Sequence, residues 1–474
     1  MAGDVVKSMA AATAYAYLGN SRLDLGSELL ALQTSGGPQP HPHFFAGCMT
    51  APAATASGLL VLAGVALTRF DERRASMAMR DPVVTAGDER LRFEAFSACN
   101  GVYARLDLLP AGLDGQILGY GTTNVDINPP LRTALTRVRG LEPMHLAVGP
   151  EELAVTTFDG SLVERKVPLP ARWLRGFTEA QVISSGFDLR AQLDRAGAVS
   201  FLNQLPRAGG KVDRSTVWAV PAGRSLRLSS RPTPGAVCLG GPARLGVLLP
   251  FLRHATGLRV YGPALTASSP ATAGSWELST PSMRLSVTLS PDVTRGFSGE
   301  GAALDQMVSE ESVADADLIS ALLAWDTAID VHALPAAAGL SAERVRAALS
   351  VLATAGRVGY DAAEAGYFHR ALPYPVAAEE LNPRLRRARA LVAAGAVRLT
   401  SDTGTPGDTA IVSEQYHLRH GENVITCTCT WWQEYRGGRG PCAHALAFRI
   451  ARAAAAGEAL REDSEGSEDE VAQS

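Results

Sequence analysis

Cysteine and lysine are both scarce in this chain of 474 residues. Six cysteines in a chain of this length do not make a disulfide scaffold. Cys48, Cys99 and Cys238 lie far apart in apolar or glycine-rich surroundings, which is typical of inert thiols. The other three cysteines fall close together near the C-terminus, and their clustering requires an explanation.

Excess charge of one sign and long apolar runs are also missing. The formal net charge of −4 is small, so no chain-wide basic field indicates nucleic acid. The longest apolar run, residues 58–67, is too short to span a bilayer. The first 20 residues have no basic segment ahead of a sustained apolar run, unlike a signal peptide. We therefore expect a soluble, cytoplasmic protein with no membrane partner.

The length and the apolar content predict several folded domains. A chain of 474 residues exceeds the usual limit of one hydrophobic core, and 46% of its residues are hydrophobic. Period-two patterns such as those at 91–96 and 283–289 predict strands, whereas 172–203 and 242–254 read as helical. We expect a multidomain α+β chain whose mixed α/β N-terminal body spans 47–300.

Three further segments and an N-terminal one complete the predicted organisation. Residues 1–46 are a small-residue segment and linker, and 457–474 form an acidic tail that we expect to be disordered. Residues 301–400 read as three helices and two strand-like pieces, an order that resembles a winged helix. Within them, Ser341 is a plausible N-cap. The segment 401–456 contains the clustered cysteines.

The cysteine cluster reads CTCTWWQEYRGGRGPCAH over residues 427–444. Cys427 and Cys429 are two apart on a strand or tight knuckle, so both can face one ion. Pro441 suits the first turn of a helix, which would carry Cys442 and His444. Three thiolates and one imidazole form a closed tetrahedral set for Zn²⁺ with no position left for water. The pattern predicts one structural zinc ion in a small ββα unit.

Two other interpretations of the cluster are weaker. A disulfide between Cys427 and Cys429 would close a strained ring. Neither that redox pair nor a set of buried thiols explains Cys442 and His444 at this compact spacing.

The pattern Cys427-x-Cys429-x12-Cys442-x-His444, followed by an apolar helix, resembles the SWIM zinc finger. That finger is found in helicase-like ATPases, Mutator-type transposases and a MAP kinase kinase kinase. The order of an α/β body, a winged-helix-like segment and a C-terminal finger further resembles bacterial stand-alone SWIM-finger proteins. The resemblance implies binding of DNA or proteins through the finger.

Aromatic and cationic residues within the finger suit stacking and phosphate contact with nucleic acid. They are Trp431, Trp432, Tyr435, Arg436 and Arg439. The alternative is that the tryptophans form the core of the small module itself.

Other arginines give a less specific signal. Four lie on the predicted helix 383–395, where a solvated face is the alternative: Arg384, Arg386, Arg387 and Arg389. Residues 303–400 hold 9 Arg against 12 acidic residues. The predicted helix 341–356, which would be the recognition helix of a winged helix, offers only Arg344 and Arg346. No basic footprint for nucleic acid therefore stands out. We expect a zinc-binding interaction protein whose partner is a protein, a nucleic acid or both.

Motifs for catalysis are weak. GFSGEG at 296–301 lacks the ending of a P-loop, and we expect it to cap a helix through Ser298. Cys99 is a conceivable nucleophile with no assignable base. The remaining candidates are two histidines with metal-like spacing and three scattered carboxylates: His41, His43, Glu94, Asp107 and Asp126. We predict no enzyme activity and no small-molecule substrate; the alternative is an unrecognised site in the N-terminal body.

Overall fold

The structure is a computed structural model that describes most of the chain. The described residues are 43–68, 82–169, 171–207, 213–301, 304, 310–323, 329–372, 382–400, 408–421 and 425–455, with four short strands before them: β1 (Tyr15–Tyr17), β2 (Arg22–Asp24), β3 (Leu29–Ala31) and β4 (Ser35–Pro38). His41, a large part of the predicted N-terminal segment 1–46 and the whole predicted acidic tail lie outside them. No helix among the described residues is long and apolar enough to cross a membrane.

The N-terminal body consists mainly of antiparallel strands. In chain order they are β5 (Phe45–Met49), β6 (Val83–Gly87), β7 (Arg90–Phe96), β8 (Val102–Leu108), β9 (Leu113–Ile117), β10 (Gly121–Asn124), β11 (His145–Val148), β12 (Glu152–Thr157), β13 (Gly160–Arg165), β14 (Asp188–Asp194), β15 (Thr216–Ala222), β16 (Ser225–Ser229), β17 (Val237–Gly240), β18 (Gly257–Gly262), β19 (Gly274–Ser279) and β20 (Met283–Leu289). β6–β8 and β18–β20 are buried almost throughout, as expected for strands covered on both faces.

Three sheets organise these strands. The largest has eight strands in the order β10-β6-β7-β8-β20-β19-β18-β14, and two three-stranded meanders meet in its middle where β8 pairs with β20. The other two sheets have the orders β13-β12-β11-β5-β9 and β16-β15-β17. Because β8 and β20 are distant in sequence, this central pairing joins the two ends of the body.

The described part of the body has four helices: α1 (Pro52–Leu67), α2 (Pro129–Arg137), α3 (Ala171–Ser184) and α4 (Arg195–Gln204), of which α2 packs on α1. The long helical stretch predicted over 172–203 is interrupted by strand β14. The helix predicted over 242–254 is also wrong, since a short 3-10 segment followed by turns lies there. The cause is tertiary: the buried Arg244 side chain donates hydrogen bonds to the Gly101 and Ser290 main-chain oxygens, which holds this segment against the body.

Three helices and a hairpin follow the body, in the predicted order. They are α5 (Glu310–Leu323), α6 (Leu334–Ala338), α7 (Ala342–Thr354), β21 (Val358–Asp361) and β22 (Gly366–His369). Ser341 caps α7 as predicted, accepting a hydrogen bond from the Arg344 N–H at 3.3 Å. The winged-helix identity of this segment stays a prediction.

The hairpin β21–β22 packs on the eight-stranded sheet through buried charges. The Asp361 carboxylate lies 2.9 Å from the Arg105 guanidinium and 2.7 Å from that of Arg284. Although burial alone would raise it, these two arginines hold the pKa of Asp361 well below its usual range. The Arg92 guanidinium lies 4.0 Å from the centre of the Phe368 ring. These contacts hold one face of the hairpin against the sheet.

Glu277, on β19 beside the same buried charges, destabilises the folded state when its carboxyl group is ionised. Burial raises its pKa to about 7, although Arg284 opposes the shift. Between pH 4.5 and pH 7 the folded state therefore binds a proton that the unfolded state has lost, so stability falls as the pH rises through this window.

We expect Glu277→Gln to raise the free energy of unfolding by about 2–3 kcal/mol at pH 8 and by less than about 1 kcal/mol at pH 5. Urea unfolding followed by tryptophan fluorescence measures both values. Glu151→Gln, at a carboxylate 74% exposed, is the control and should change little at either pH. An equal gain at both pH values would contradict the assignment.

The C-terminal module is a sheet backed by helices. Its elements are α8 (Pro383–Ala393), β23 (Val397–Leu399), β24 (Thr409–Val412), β25 (Tyr416–His420), β26 (Ile425–Cys427), α9 (Thr430–Tyr435) and α10 over 443–455. The four strands form one antiparallel sheet in chain order, two strands more than the predicted ββα unit. Val412, Leu418 and Phe448 are buried between the sheet and α10.

Candidate metal centre

Local chain geometry brings the first two cysteines together. Cys427 ends β26, and Cys429 is the residue before α9. The β-branched residues that precede Cys427 favour the strand, and the side chains of residues two apart on extended chain point to the same side. Both thiols are therefore directed into the module's core.

A glycine-rich turn returns the chain to the second pair of ligands. Gly440 has a φ of +72°, and a Cβ atom there would lie 2.4 Å from the Gly301 carbonyl oxygen, so both the conformation and the space require glycine. After this turn α10 begins at residue 443, with Cys442 just before it and His444 in its first turn. The positive end of the helix favours a thiolate at Cys442.

The four side chains form one compact group. One ligand atom from each of Cys427, Cys429, Cys442 and His444 can be chosen so that all lie within 4.8 Å of one another. The Cys427 Sγ and the His444 Nδ1 are 3.8 Å apart. A tetrahedral zinc ion, with Zn–S near 2.3 Å and Zn–N near 2.0 Å, holds its ligand atoms about 3.5–3.8 Å apart. The set therefore fits one Zn²⁺ after a small contraction.

Burial and protonation favour a closed site. All four residues are at most 7% exposed, which excludes a water ligand from the coordination sphere. Hydrogen bonds from the Cys427 thiol, the His444 ring and the Ala445 N–H lower the pKa of Cys442 to about 4, whereas burial raises the pKa of Cys429. One thiolate is thus already favoured, and metal binding displaces the protons of the other two.

The His444 ring is oriented by an aromatic neighbour. Tyr416, on β25, stacks on it with ring centres 3.9 Å apart and planes 20° apart. The second ring nitrogen, Nε2, is buried without a hydrogen-bond partner among the described residues. Stacking therefore replaces the hydrogen bond that usually orients a metal-binding histidine.

The aromatic residues proposed for nucleic-acid stacking face other protein groups. The Trp431 ring lies 4.5 Å from the Arg384 guanidinium, 5.5 Å from that of Arg439 and 4.5 Å from the Tyr435 ring. Trp432 is half-buried and packs on the hydrophobic core of the module. Trp431 is half-buried against these groups, which agrees with the alternative that the tryptophans support the module.

Arg384 joins the module to the N-terminal body, a role that its sequence position did not indicate. Its guanidinium donates hydrogen bonds to the carbonyl oxygens of Arg439 at 2.8 Å, of Pro441 at 2.9 Å and of Glu300. The Glu300 side chain forms ion pairs with Arg295 at 2.7 Å and Arg439 at 3.6 Å. We call these five residues the junction. Its contacts require the folded module and could not be read from spacing.

The GFSGEG motif belongs to this junction. The helix cap predicted for Ser298 is wrong: its main-chain N–H donates to the Asn100 side chain at 2.6 Å, and the short 3-10 turn Phe297–Gly299 has no side-chain cap. Because Asn100 lies in the same turn as Cys99, two motifs considered for catalysis pack against each other instead.

The other catalytic and metal candidates are separated. Cys99 is buried, with the Ser97 hydroxyl 3.4 Å from its sulfur. Glu94 accepts a hydrogen bond from Arg370 at 2.8 Å, and the Asp107 carboxylate lies 3.0 Å from the Arg105 guanidinium. Both carboxylates therefore form buried ion pairs. Among the described residues the zinc-ligand set is the only His, Cys, Asp and Glu group suited to a metal, and it includes neither His43 nor Asp126.

The outer face of the sheet was missed at the sequence level. We use outer face for the side chains that point away from the zinc: Arg398, Thr400, Thr409, Ile411, His417, Arg419, Thr426 and Thr428. The registers Arg398↔Ile411↔His417 and Thr409↔Arg419↔Thr426 place them on one side. All of them except Arg398 line a shallow depression of about 640 Å³. The sequence signal that could have predicted this face is the alternation of these residues with buried ones along each strand.

Comparison with known proteins identifies the module but gives no close relative of the whole chain. Residues 410–447 match the family model of the SWIM zinc finger. A search of curated proteins found no match.

Solved structures give only a distant likeness. The proliferating cellular nuclear antigen of Entamoeba histolytica is 11% identical, with 52% of this chain and 98% of that chain covered and a TM-score of 0.32. The PCNA2–PCNA3 complex of Sulfolobus tokodaii is 9% identical over 52% and 98%, with a TM-score of 0.35. The DNA polymerase sliding clamp of Caulobacter crescentus is 13% identical over 52% and 65%, with a TM-score of 0.34.

The ligand geometry and the family match agree on the same residues. Residues 410–447 of this chain are a SWIM zinc finger, and its Cys427, Cys429, Cys442 and His444 cluster is compatible with one structural zinc ion.

Proposed function

We propose that the chain binds nucleic acid through the outer face of its zinc finger. The observation that carries this proposal is the composition of that face. Arg398, His417 and Arg419 are exposed among threonine hydroxyls, and no Asp or Glu occurs in β23–β26. Arginine and threonine side chains are common donors to phosphate oxygens. The face therefore suits a phosphate backbone and has little means of reading base sequence.

The absence of large apolar side chains favours nucleic acid over a protein partner. Among the described residues, the large hydrophobic side chains that are exposed all lie outside the finger, on the body and on α5. Protein interfaces depend on buried aromatic and aliphatic residues at their centre. The outer face has only Ile411 of this kind, and it is half-buried.

The helical segment supports the same choice of surface. Helix α7, the presumptive recognition helix, packs against both α5 and α3, and the Thr354 carbonyl accepts a hydrogen bond from the Thr178 hydroxyl at 3.2 Å. Arg344 forms an ion pair with Asp315 at 2.7 Å. Since the following hairpin is also held on the body, the finger is the better candidate for contact with a nucleic acid.

Zinc has a structural part in this proposal. The metal holds β26, α9 and α10 together on the inner side of the sheet, and the closed ligand set leaves no position for a substrate. When bound, the ion would stabilise the fold of the finger and would take no part in a reaction. The side chains that contact the partner are those of the outer face.

The test removes the two arginines of the outer face. We expect Arg398→Ser/Arg419→Ser to weaken binding of mixed-sequence DNA or RNA roughly tenfold at low salt, and to reduce the slope of log K against log salt by about 1 per arginine. Fluorescence anisotropy across a salt series measures both quantities. Zinc content should be unchanged, since neither residue is a ligand.

Arg386→Ser/Arg387→Ser is the matched control, because both arginines are exposed on α8 and their loss removes the same charge. If both double variants weaken nucleic-acid binding equally, general electrostatic attraction explains the binding and the outer face is not a specific site. If the unaltered protein binds neither duplex, single strand nor RNA at micromolar concentration, the proposal fails. Capture of an acidic protein by the same face would then assign it to a protein partner.

A further inference from the structure

We infer that the acidic C-terminal segment of the chain is an internal ligand of the outer face and competes with nucleic acid for it. The segment, residues 457–474, holds seven acidic residues and one arginine. This inference rests on the proposed function for the identity of the competitor, but the docking itself can be tested without any nucleic acid.

The place where the described chain ends makes this docking possible. Helix α10 is described up to residue 455, and Arg452 in its last turn lies 3.0 Å from the His420 ring nitrogen Nδ1. His420 directly follows Arg419 at the end of β25. The described chain therefore ends three residues after a contact with the end of the strand that carries the central arginine of the outer face.

The length of the segment is sufficient to reach around the sheet edge. The most acidic stretch, 462–470, begins seven residues after 455. Seven extended residues span up to about 23 Å, at roughly 3.3 Å each, whereas a sheet and the layer packed on it are about 10 Å apart. Carboxylates of 462–470 can thus lie over Arg419 and then over Arg398, two strands away.

Charge complementarity identifies the occupant. Arg398 and Arg419 form no ion pair with another described residue, and the strands around them contain no carboxylate. Acidic side chains supply the same charge and the same acceptor oxygens as phosphates. Individual exposed ion pairs are weak and are screened by salt, so the docked segment is displaceable. A polyanion of higher charge density therefore replaces it.

The test uses the full-length, zinc-loaded protein with one added amine. Arg419→Lys keeps the positive charge and provides a primary amine in a chain that otherwise has only Lys7, Lys166 and Lys211. A carbodiimide activates a nearby carboxylate, which then forms an amide with that amine. We expect cross-links between position 419 and carboxylates of 462–470, found by peptide mass spectrometry in monomeric protein and strongly reduced at 1 M salt, where the Debye length is about 3 Å.

Two further variants make the result decisive. Arg398→Lys repeats the measurement at the other end of the face and should give the same partner peptide. Arg227→Lys, at an exposed arginine of β16 in the body, is the control for chance encounters with the segment. Cross-links at positions 398 and 419 no more frequent than at 227 would overturn the inference. Cross-links found only between two copies, increasing with concentration, would also overturn it.

Competition is measured separately. With the seven acidic residues of 457–474 changed to Asn or Gln, we expect nucleic acid to bind at least threefold more tightly at low salt, with a smaller gain at high salt. Unchanged affinity, together with efficient cross-linking in the parent chain, would place the segment on the face but reject the competition. Failure of nucleic-acid binding in every variant rejects the proposed function and leaves the cross-linking result standing.

Discussion

Replacing Cys442 with alanine should abolish zinc binding and unfold the finger while the N-terminal body stays folded. A structural zinc site contributes roughly 10–16 kcal/mol at pH 7, more than the net stability of a module of this size. Cys442 is the sulfur whose thiolate is most favoured, so its loss removes the ligand that is most readily deprotonated. Metal analysis of the purified protein and hydrogen exchange of β24–β26 measure the two effects.

Cys48→Ala is the control for the loss of a thiol. Cys48 is exposed and takes no part in the ligand cluster, so this variant should retain one zinc ion per chain. Removal of zinc from the unaltered protein with a strong chelator should give the same hydrogen-exchange pattern in β24–β26 as the Cys442→Ala variant. One tightly held zinc ion in Cys442→Ala would show that the ligand set is wrong.

Replacing Arg370 with methionine should destabilise the packing of the hairpin on the body by about 3–5 kcal/mol. Arg370 and Glu94 are both fully buried and form an ion pair at 2.8 Å. Removal of the guanidinium leaves the Glu94 carboxylate in the core, with the Tyr103 hydroxyl as its remaining hydrogen-bond donor. Urea unfolding gives the free energy, and hydrogen exchange of β21 and β22 locates the change.

The double variant Glu94→Gln/Arg370→Met tests the electrostatic cause. Since it removes both charges, it should recover a large part of the stability lost in Arg370→Met. If the two variants are equally unstable, lost packing of Arg370 over the Phe177 ring, at 4.6 Å, is the dominant effect instead.

Strands of the body could be predicted where their own pattern determines them. Met283–Leu289 has the bounds that its sequence predicted, and the strand predicted over 91–96 is Arg90–Phe96. The structure of the segment near 242–254 could not be predicted from its own pattern, because the Arg244 side chain is held by carbonyl groups of two sequence-distant loops. Sheet order was equally inaccessible, since the pairing of β8 with β20 joins residues almost two hundred positions apart.

The zinc ligands could be proposed from the sequence because their spacing is local and their chemistry is restrictive. Their surroundings could not. Tyr416 reaches His444 from another strand, and Arg384 reaches Pro441 from a helix that precedes the sheet. The aromatic and basic residues near the ligands suggested exposed contacts, yet Trp431 and Arg439 are used within the fold.

The junction also affects how a bound partner is presented. Arg384, Glu300 and Arg439 join the finger directly to the loop that follows the eight-stranded sheet, and these contacts hold the finger against the body. A flexible tether would let the finger search a volume set by linker length. If the finger binds a partner as proposed, the junction contacts would hold that partner at a fixed distance and angle from the eight-stranded sheet.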